Sequence, residues 1–163
     1  MHRVEERDLI EQPTLVIRAR LEVPDIREWI GRAFARVKAA IDASGARPVG
    51  PAFARFEPAD DRLDTFDIEA GFPVAAPLAV GPGDVRPSCL PGGPAVVTPH
   101  VGPYEEMTPA YDALEKWVAD RGCTVAGSPW ENYCSEPQGD PATWTTEIVL
   151  PYHLAESHAG AGS

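Results

Sequence analysis

Apolar residues Ile26, Ile30, Phe34, Val37 and Ile41 recur every three or four positions, the spacing that lines one face of an α-helix. Asp25 with Glu28 three residues on gives this helix a capping-box start, and Gly45 is placed to stop it at the C′ position. A second helix follows from Tyr111, Leu114, Trp117 and Val118, with Thr108 as N-cap, Pro109 at the first helical position and Gly122 as the stop. Its first turn can begin as early as Tyr104. Elsewhere the pattern is that of strands. Residues 14–21, β-branched and set between Pro13 and Pro24, and residues 95–98 after Pro94 read as extended; so do 53–56 and 65–72 after the first helix, and 130–134 and 144–150 after the second. Along the last of these, Trp144, Thr146, Ile148 and Leu150 share one face, expected to pack beneath a helix. Thr145, Glu147 and Val149 take the other, so Glu147 points away from the helices.

The same pattern occurs twice. A shift of 77 residues lays Gly45, Gly50, Phe53 and Phe56 on Gly122, Gly127, Trp130 and Tyr133, and Ile30, Phe34, Val37 and Ile41 on Met107, Tyr111, Leu114 and Val118. At 78, Phe66, Glu69 and Pro73 fall on Trp144, Glu147 and Pro151. The expected fold is therefore α+β: tandem strand-helix-strand-strand units with antiparallel sheets, two main helices on one side and a central ligand cleft on a pseudo-twofold axis. Residues 1–12 read as an N-terminal extension and 13–154 as a single domain, with repeat one at 13–74 and repeat two at 94–152. The proline- and glycine-rich stretch 75–93 reads as a linker holding a short extended piece around 84–86, and 155–163 as a disordered tail.

Composition narrows the function classes. The chain has 163 residues, long enough for one domain with a substantial core, and 14 Lys and Arg against 25 Asp and Glu leave a net charge of −11. That surface repels phosphate backbones and anionic headgroups, so direct nucleic-acid or membrane contact is not expected, whereas a cation is attracted. The start lacks an apolar h-region, and Pro77 breaks the apolar stretch 74–80, so the cytoplasm is the expected compartment. Cys89, Cys123 and Cys134 form neither a C-x-x-C pair nor an even framework and read as small buried or half-buried apolar residues. No G-x-G-x-x-G, Walker loop, H-E-x-x-H or G-x-S-x-G occurs, and no cofactor or metal is expected.

Trp130-Glu131-Asn132-Tyr133 carries the sharpest candidate chemistry. By alternation Glu131 and Tyr133 share a face; if Trp130 anchors the helix side, both look into the cleft, where Glu147 can join them. A carboxylate among aromatic rings can bind a lipophilic cation, or act as a general base whose pKa apolar surroundings raise. In the first repeat the place of Glu131 is held by Ala54, which hints at an asymmetric function. Glu69 and Glu147 are equivalent, so a shared structural hydrogen bond competes with a ligand role. Tyr104, in the rigid turn His100-Val101-Gly102-Pro103-Tyr104, can aim its ring into the cleft or pack the helix start. Tyr111 and Phe56 complete the expected ligand-contacting set, although Tyr111, spaced with Trp117, is also what a core residue looks like. His100, with no evident co-ligands, reads as structural or exposed.

Leu90-Pro91-Gly92-Gly93, His100-Val101-Gly102-Pro103-Tyr104, Ala110-Tyr111, Leu114, Trp117, Gly127 to Tyr133 and Thr146-Glu147-Ile148 with Pro151 together resemble the GyrI-like small-molecule-binding domain, over about residues 12–153. The resemblance implies a tandem fold whose cleft holds a buried Glu and aromatic side chains, matched here by Glu131, Glu147, Tyr104 and Tyr133. Regulators of that superfamily join the domain to a helix-turn-helix module, which the residues before Thr14 are too few to encode, so a stand-alone binder of lipophilic, aromatic, cationic molecules is the leading expectation. Some free-standing relatives open the cyclopropane ring of DNA-alkylating natural products; in that alternative Glu131 is the general base, with Tyr104 or Tyr133 positioning the substrate or donating a proton. A third reading is a protein-binding inhibitor like the gyrase-inhibitory member. A homodimer is left open.

Overall fold

Pro24 stands in the first turn of a helix rather than past the end of a strand, because the missing N–H of a proline costs nothing where helical N–H groups have no partner. The computed structural model describes residues 3–59, 64–79, 83–135 and 139–154. In chain order it shows β1 (Glu5–Leu9), β2 (Gln12–Glu22), α1 (Val23–Ala43), β3 (Phe53–Pro58), β4 (Thr65–Pro73), β5 (Arg86–Leu90), β6 (Gly93–Val101), α2 (Thr108–Asp120), β7 (Thr124–Val125), β8 (Trp130–Tyr133) and β9 (Thr145–His153). A 3₁₀ turn, Tyr104–Glu106, precedes α2, and another, Pro141–Thr143, precedes β9.

These elements form two compact units, Glu11–Pro91 and Met1–Ile10 with Gly92–Ser163. In the first, the antiparallel strand order is β3-β4-β2-β5. In the second it is β8-β9-β6-β1, with β7 on the end of β9. Strand, helix, strand, strand thus runs β2-α1-β3-β4 in one and β6-α2-β8-β9 in the other, and the α+β class with antiparallel sheets is as the sequence led us to expect.

Three boundaries differ from the sequence reading. Helix α1 begins at Val23 after Glu22, two residues before Asp25, and its start has no side-chain cap; Asp25 lies in the first turn, where a carboxylate favours the helix dipole. The supposed N-terminal extension is strand β1, which pairs Glu5 to Leu9 with Val97 to Gly93. Within the expected linker the extended piece is β5, which runs from Arg86 to Leu90 rather than around 84–86 and pairs with Gln12 to Val16 of β2. Both are edge strands whose polar or Pro-containing sequences lack a hydrophobic alternation, so their pairing partners, not their own pattern, make them strands. Cys134 is exposed, while Cys89 and Cys123 are half-buried. The expected tail, 155–163, lies outside the described residues.

In the first unit α1 buries Ala33, Val37 and Ile41, and Leu15, Ile17, Ile68 and Ala70 of the sheet are also buried; Phe34 meets Phe72 with ring centroids 5.8 Å apart. In the second, Ala110, Leu114 and Val118 of α2 pack with Val96, Ile148, Leu150 and Tyr152. Each fully buried aliphatic side chain contributes about 1.5–3 kcal/mol. Gly45 and Gly122 end the helices at φ +76° and +71°, as the sequence placed them.

Gly71 is a glycine for a different reason. A Cβ there would lie 1.9 Å from the Leu15 carbonyl oxygen on the neighbouring strand, a clash only backbone movement can relieve. Gly71→Ala is therefore expected to destabilise the protein by at least about 1–3 kcal/mol, seen as a lower urea midpoint with unchanged m-value. An unchanged midpoint would contradict this close approach of β2 to β4.

Candidate functional site

Strand register decides which side chains meet. On β8, Glu131 stands opposite Ile148 and Tyr133 opposite Thr146, while Trp130 faces Val149 and Asn132 faces Glu147. Ile148 belongs to the core under α2, so Glu131 and Tyr133 project to the helix side. There the Tyr111 hydroxyl of α2 donates to Glu131 Oε2, and the Tyr133 hydroxyl donates to Oε1 at 2.8 Å. Each carboxylate oxygen receives one phenol, and hydrogen bonds to a charged group are worth about 1.5–3 kcal/mol apiece.

The phenols hold their protons firmly. Burial pushes the Tyr111 hydroxyl far above its ordinary value, and the Glu131 charge beside it adds to the rise. Tyr133 moves the same way for the same leading reason, with Glu131 and the neighbouring Tyr111 and Tyr104 contributing. Both are therefore fixed donors, and Glu131 is their acceptor.

Aromatic rings extend this centre. Gly102 at φ +133° and Pro103 turn the chain sharply after β6; the Gly102 N–H donates to the Trp144 carbonyl at 2.8 Å, and His100 Nε2 lies 2.9 Å from the Pro103 carbonyl oxygen. So anchored, the 3₁₀ turn sets the Tyr104 ring 5.6 Å from Tyr133 and 4.9 Å from Trp144, centroid to centroid. Glu131, Tyr104, Tyr111, Tyr133 and Trp144 are all half-buried. His100, only 5% exposed, has a structural place in this turn.

Two expectations need correction. Trp130 does not anchor the helix side; it is buried on the opposite face, because the helix side at this level is taken by the Tyr111 and Glu131 contact. Glu147 consequently does not join Glu131. It accepts from Asn132 Nδ2 at 3.0 Å and pairs with Arg7 at 3.0 Å on the face away from α2. Glu69, its counterpart in the first unit, pairs likewise with Arg18 at 2.8 Å and accepts from Ser88 at 3.0 Å. Both carboxylates thus accept a hydrogen bond and hold an arginine on the sheet face away from their unit's helix. Phe56, in the first unit, pairs with Ile68 and meets Phe66 edge to face at 6.4 Å. Trp144 joins this cluster: its alternation with Thr146 and Ile148 predicts packing beneath a helix, and the element above it is instead the Tyr104 turn. Among the described residues no group of three or more His, Cys, Asp or Glu is placed to hold a metal ion, and no helix is long and apolar enough to cross a membrane.

These phenols link stability to pH. A hydroxyl with a raised folded-state pKa contributes stability that is full below the unfolded value near 10 and is lost as pH climbs through the folded value. Stability should fall above about pH 10 by about 1.4 kcal/mol per pH unit for each such phenol. Tyrosinate absorbance should show Tyr111→Phe and Tyr133→Phe each removing one late-titrating group, and Glu131→Gln bringing both to lower pH. Titration of Tyr111 and Tyr133 near 10 in the folded protein would refute the assignment.

The comparisons with known proteins agree with this fold. A family model, the GyrI-like small molecule binding domain, matches residues 2–153. No curated protein sequence matches the chain. Among solved structures, EcmrR in its DNA complex is similar at 22% identity and a TM-score of 0.81 over 94% of this chain, which spans 58% of that one. The EcmrR C-terminal domain alone gives 22% and 0.75, covering 95% of this chain and 99% of that domain. A hydrolase from Listeria innocua encoded by lin2189 is similar at 16% and 0.66, over 92% and 91% of the two chains. SAV2435 bound to tetraphenylphosphonium gives 13% and 0.63, over 98% and 99%. With the family model running through both units and the EcmrR C-terminal domain superposing on nearly the whole length, this chain belongs to the GyrI-like small-molecule-binding domain family.

Proposed function

We propose that the chain binds lipophilic, aromatic cations on the α2 side of the second unit's sheet. Glu131 supplies the charge, and Tyr104, Tyr111, Tyr133 and Trp144 supply rings on which a flat body can stack. One observation carries this: a half-buried carboxylate held by two proton-retaining phenols within a cluster of aromatic side chains. Two phenols orient the carboxylate yet leave its negative charge in place, and each ring face adds about 0.5–2 kcal/mol of attraction for a cation. The net charge of −11 raises the local cation concentration. That a protein of similar fold was solved with tetraphenylphosphonium bound supports the choice of ligand class.

Titration calorimetry with tetraphenylphosphonium tests it. Micromolar binding should weaken at least tenfold in Glu131→Gln and by a smaller factor in Tyr104→Ala, while Glu147→Gln, across the sheet, changes it less than twofold. At a hundredfold excess over Kd the cation should stabilise the fold by about 2.7 kcal/mol. Unchanged affinity in Glu131→Gln would end the reading.

A second reading, hydrolysis of a strained electrophilic ring, draws on the same contact: Glu131 takes a proton from the attacking water and returns it to the opening ring, while the Tyr133 hydroxyl, keeping its own proton, positions the substrate. The similar fold of a Listeria innocua hydrolase favours keeping it. Conversion of a cyclopropane-bearing alkylator to a product heavier by one water, abolished in Glu131→Gln, would establish it. Recovery of only unchanged compound at enzyme excess would leave binding alone.

A further inference from the structure

Thr146 raises a question that the charge and the rings do not answer. It is 1% exposed, stands directly opposite Tyr133 on β8 and opposite His100 on β6, and points to the helix side between them. Its hydroxyl is fully buried and makes no hydrogen bond with any described residue. A buried hydroxyl without a partner is a net cost, and a valine of the same shape would avoid it. Among the described residues, the other buried side-chain oxygens without a hydrogen bond, on Thr14 and Glu69, lie in the first unit, on strand positions alternate to the helix-facing Leu15, Ile68 and Ala70. Thr146 alone among them shares a face with Glu131 and Tyr133. Directly opposite residues on antiparallel strands have Cβ atoms about 4.5–5.5 Å apart, so the Thr146 hydroxyl lies within reach of whatever touches the Tyr133 ring.

We propose that Thr146 is a specificity-determining residue: its hydroxyl hydrogen-bonds one polar atom, such as a hydroxyl or carbonyl oxygen, on the ring system of the bound cation. This rests on the cation-binding reading and narrows it, from any lipophilic cation to one that carries a hydrogen-bonding group about one ring's width from its charge. Glu131 would then recognise charge, the aromatic rings shape, and Thr146 the ring substituent.

The test compares tetraphenylphosphonium with its meta- and para-hydroxymethyl derivatives, which share its charge and body and differ by one alcohol. Wild-type protein should bind at least one derivative more tightly than the parent, by about fivefold or more. Thr146→Val should abolish that preference without weakening the parent, and Thr146→Ser, which restores the hydroxyl, should keep it. Unliganded Thr146→Val should melt at or above the wild-type temperature. An equal preference in wild type and Thr146→Val, no preference in wild type, or a lower melting temperature for unliganded Thr146→Val each overturns the proposal while leaving cation binding in place. Failure of wild type to bind any of the three removes the cation reading and this inference with it.

Discussion

The contact of Tyr111 and Tyr133 with Glu131 is the constraint on which the polar cluster of the second unit rests. A carboxylate among rings is unfavourable unless its lone pairs are met, and here each oxygen accepts from a phenol. One phenol comes from α2 and one from β8, so the same two bonds tie the helix to the strand and orient the charge. Burial together with that charge keeps both phenols protonated, which makes the arrangement self-consistent: the groups that stabilise the anion are prevented from becoming anions themselves.

The two units show how little sequence change separates an apolar sheet face from a polar one. Both lay three strands in the same order beneath one helix, with β5 or β1 added at the edge. Both place a carboxylate on the face away from the helix, Glu69 with Arg18 and Glu147 with Arg7. At these partly exposed positions such pairs contribute at most about 1 kcal/mol, so they align strands more than they stabilise the fold. On the helix face the units part. Ala54, fully buried opposite Ala70, holds the place that Glu131 takes opposite Ile148, and Ile68 holds the place of Thr146. The first unit closes this row with apolar packing, and the second lines it with a carboxylate, phenols and a hydroxyl.

Glycine placement follows the same division between local and distant causes. Gly45 and Gly122 are needed by their own backbone angles, which end a helix in the left-handed region. Gly71 is needed because Leu15, far away in sequence, passes too close for any side chain. The first kind announces itself after a periodic run; the second depends on which strand pairs with which.

Helical period alone placed α1 and α2, and the two glycine stops placed their ends, because a helix is specified by neighbours within a few residues. The alternation along β9 likewise assigned Ile148 and Leu150 to the helix side. What the amino-acid order could not settle was everything that depends on a partner strand. β1 and β5 have no strand-like pattern and exist through β6 and β2; Pro24 could close a strand or open a helix; and the face of Trp130 was undetermined because a strand of four residues looks the same either way up. Only cross-strand register and the reach of Tyr111 from α2 turned Glu131 toward the rings and Glu147 toward Arg7, since alternation fixes which side chains share a face but tertiary pairing fixes which face that is.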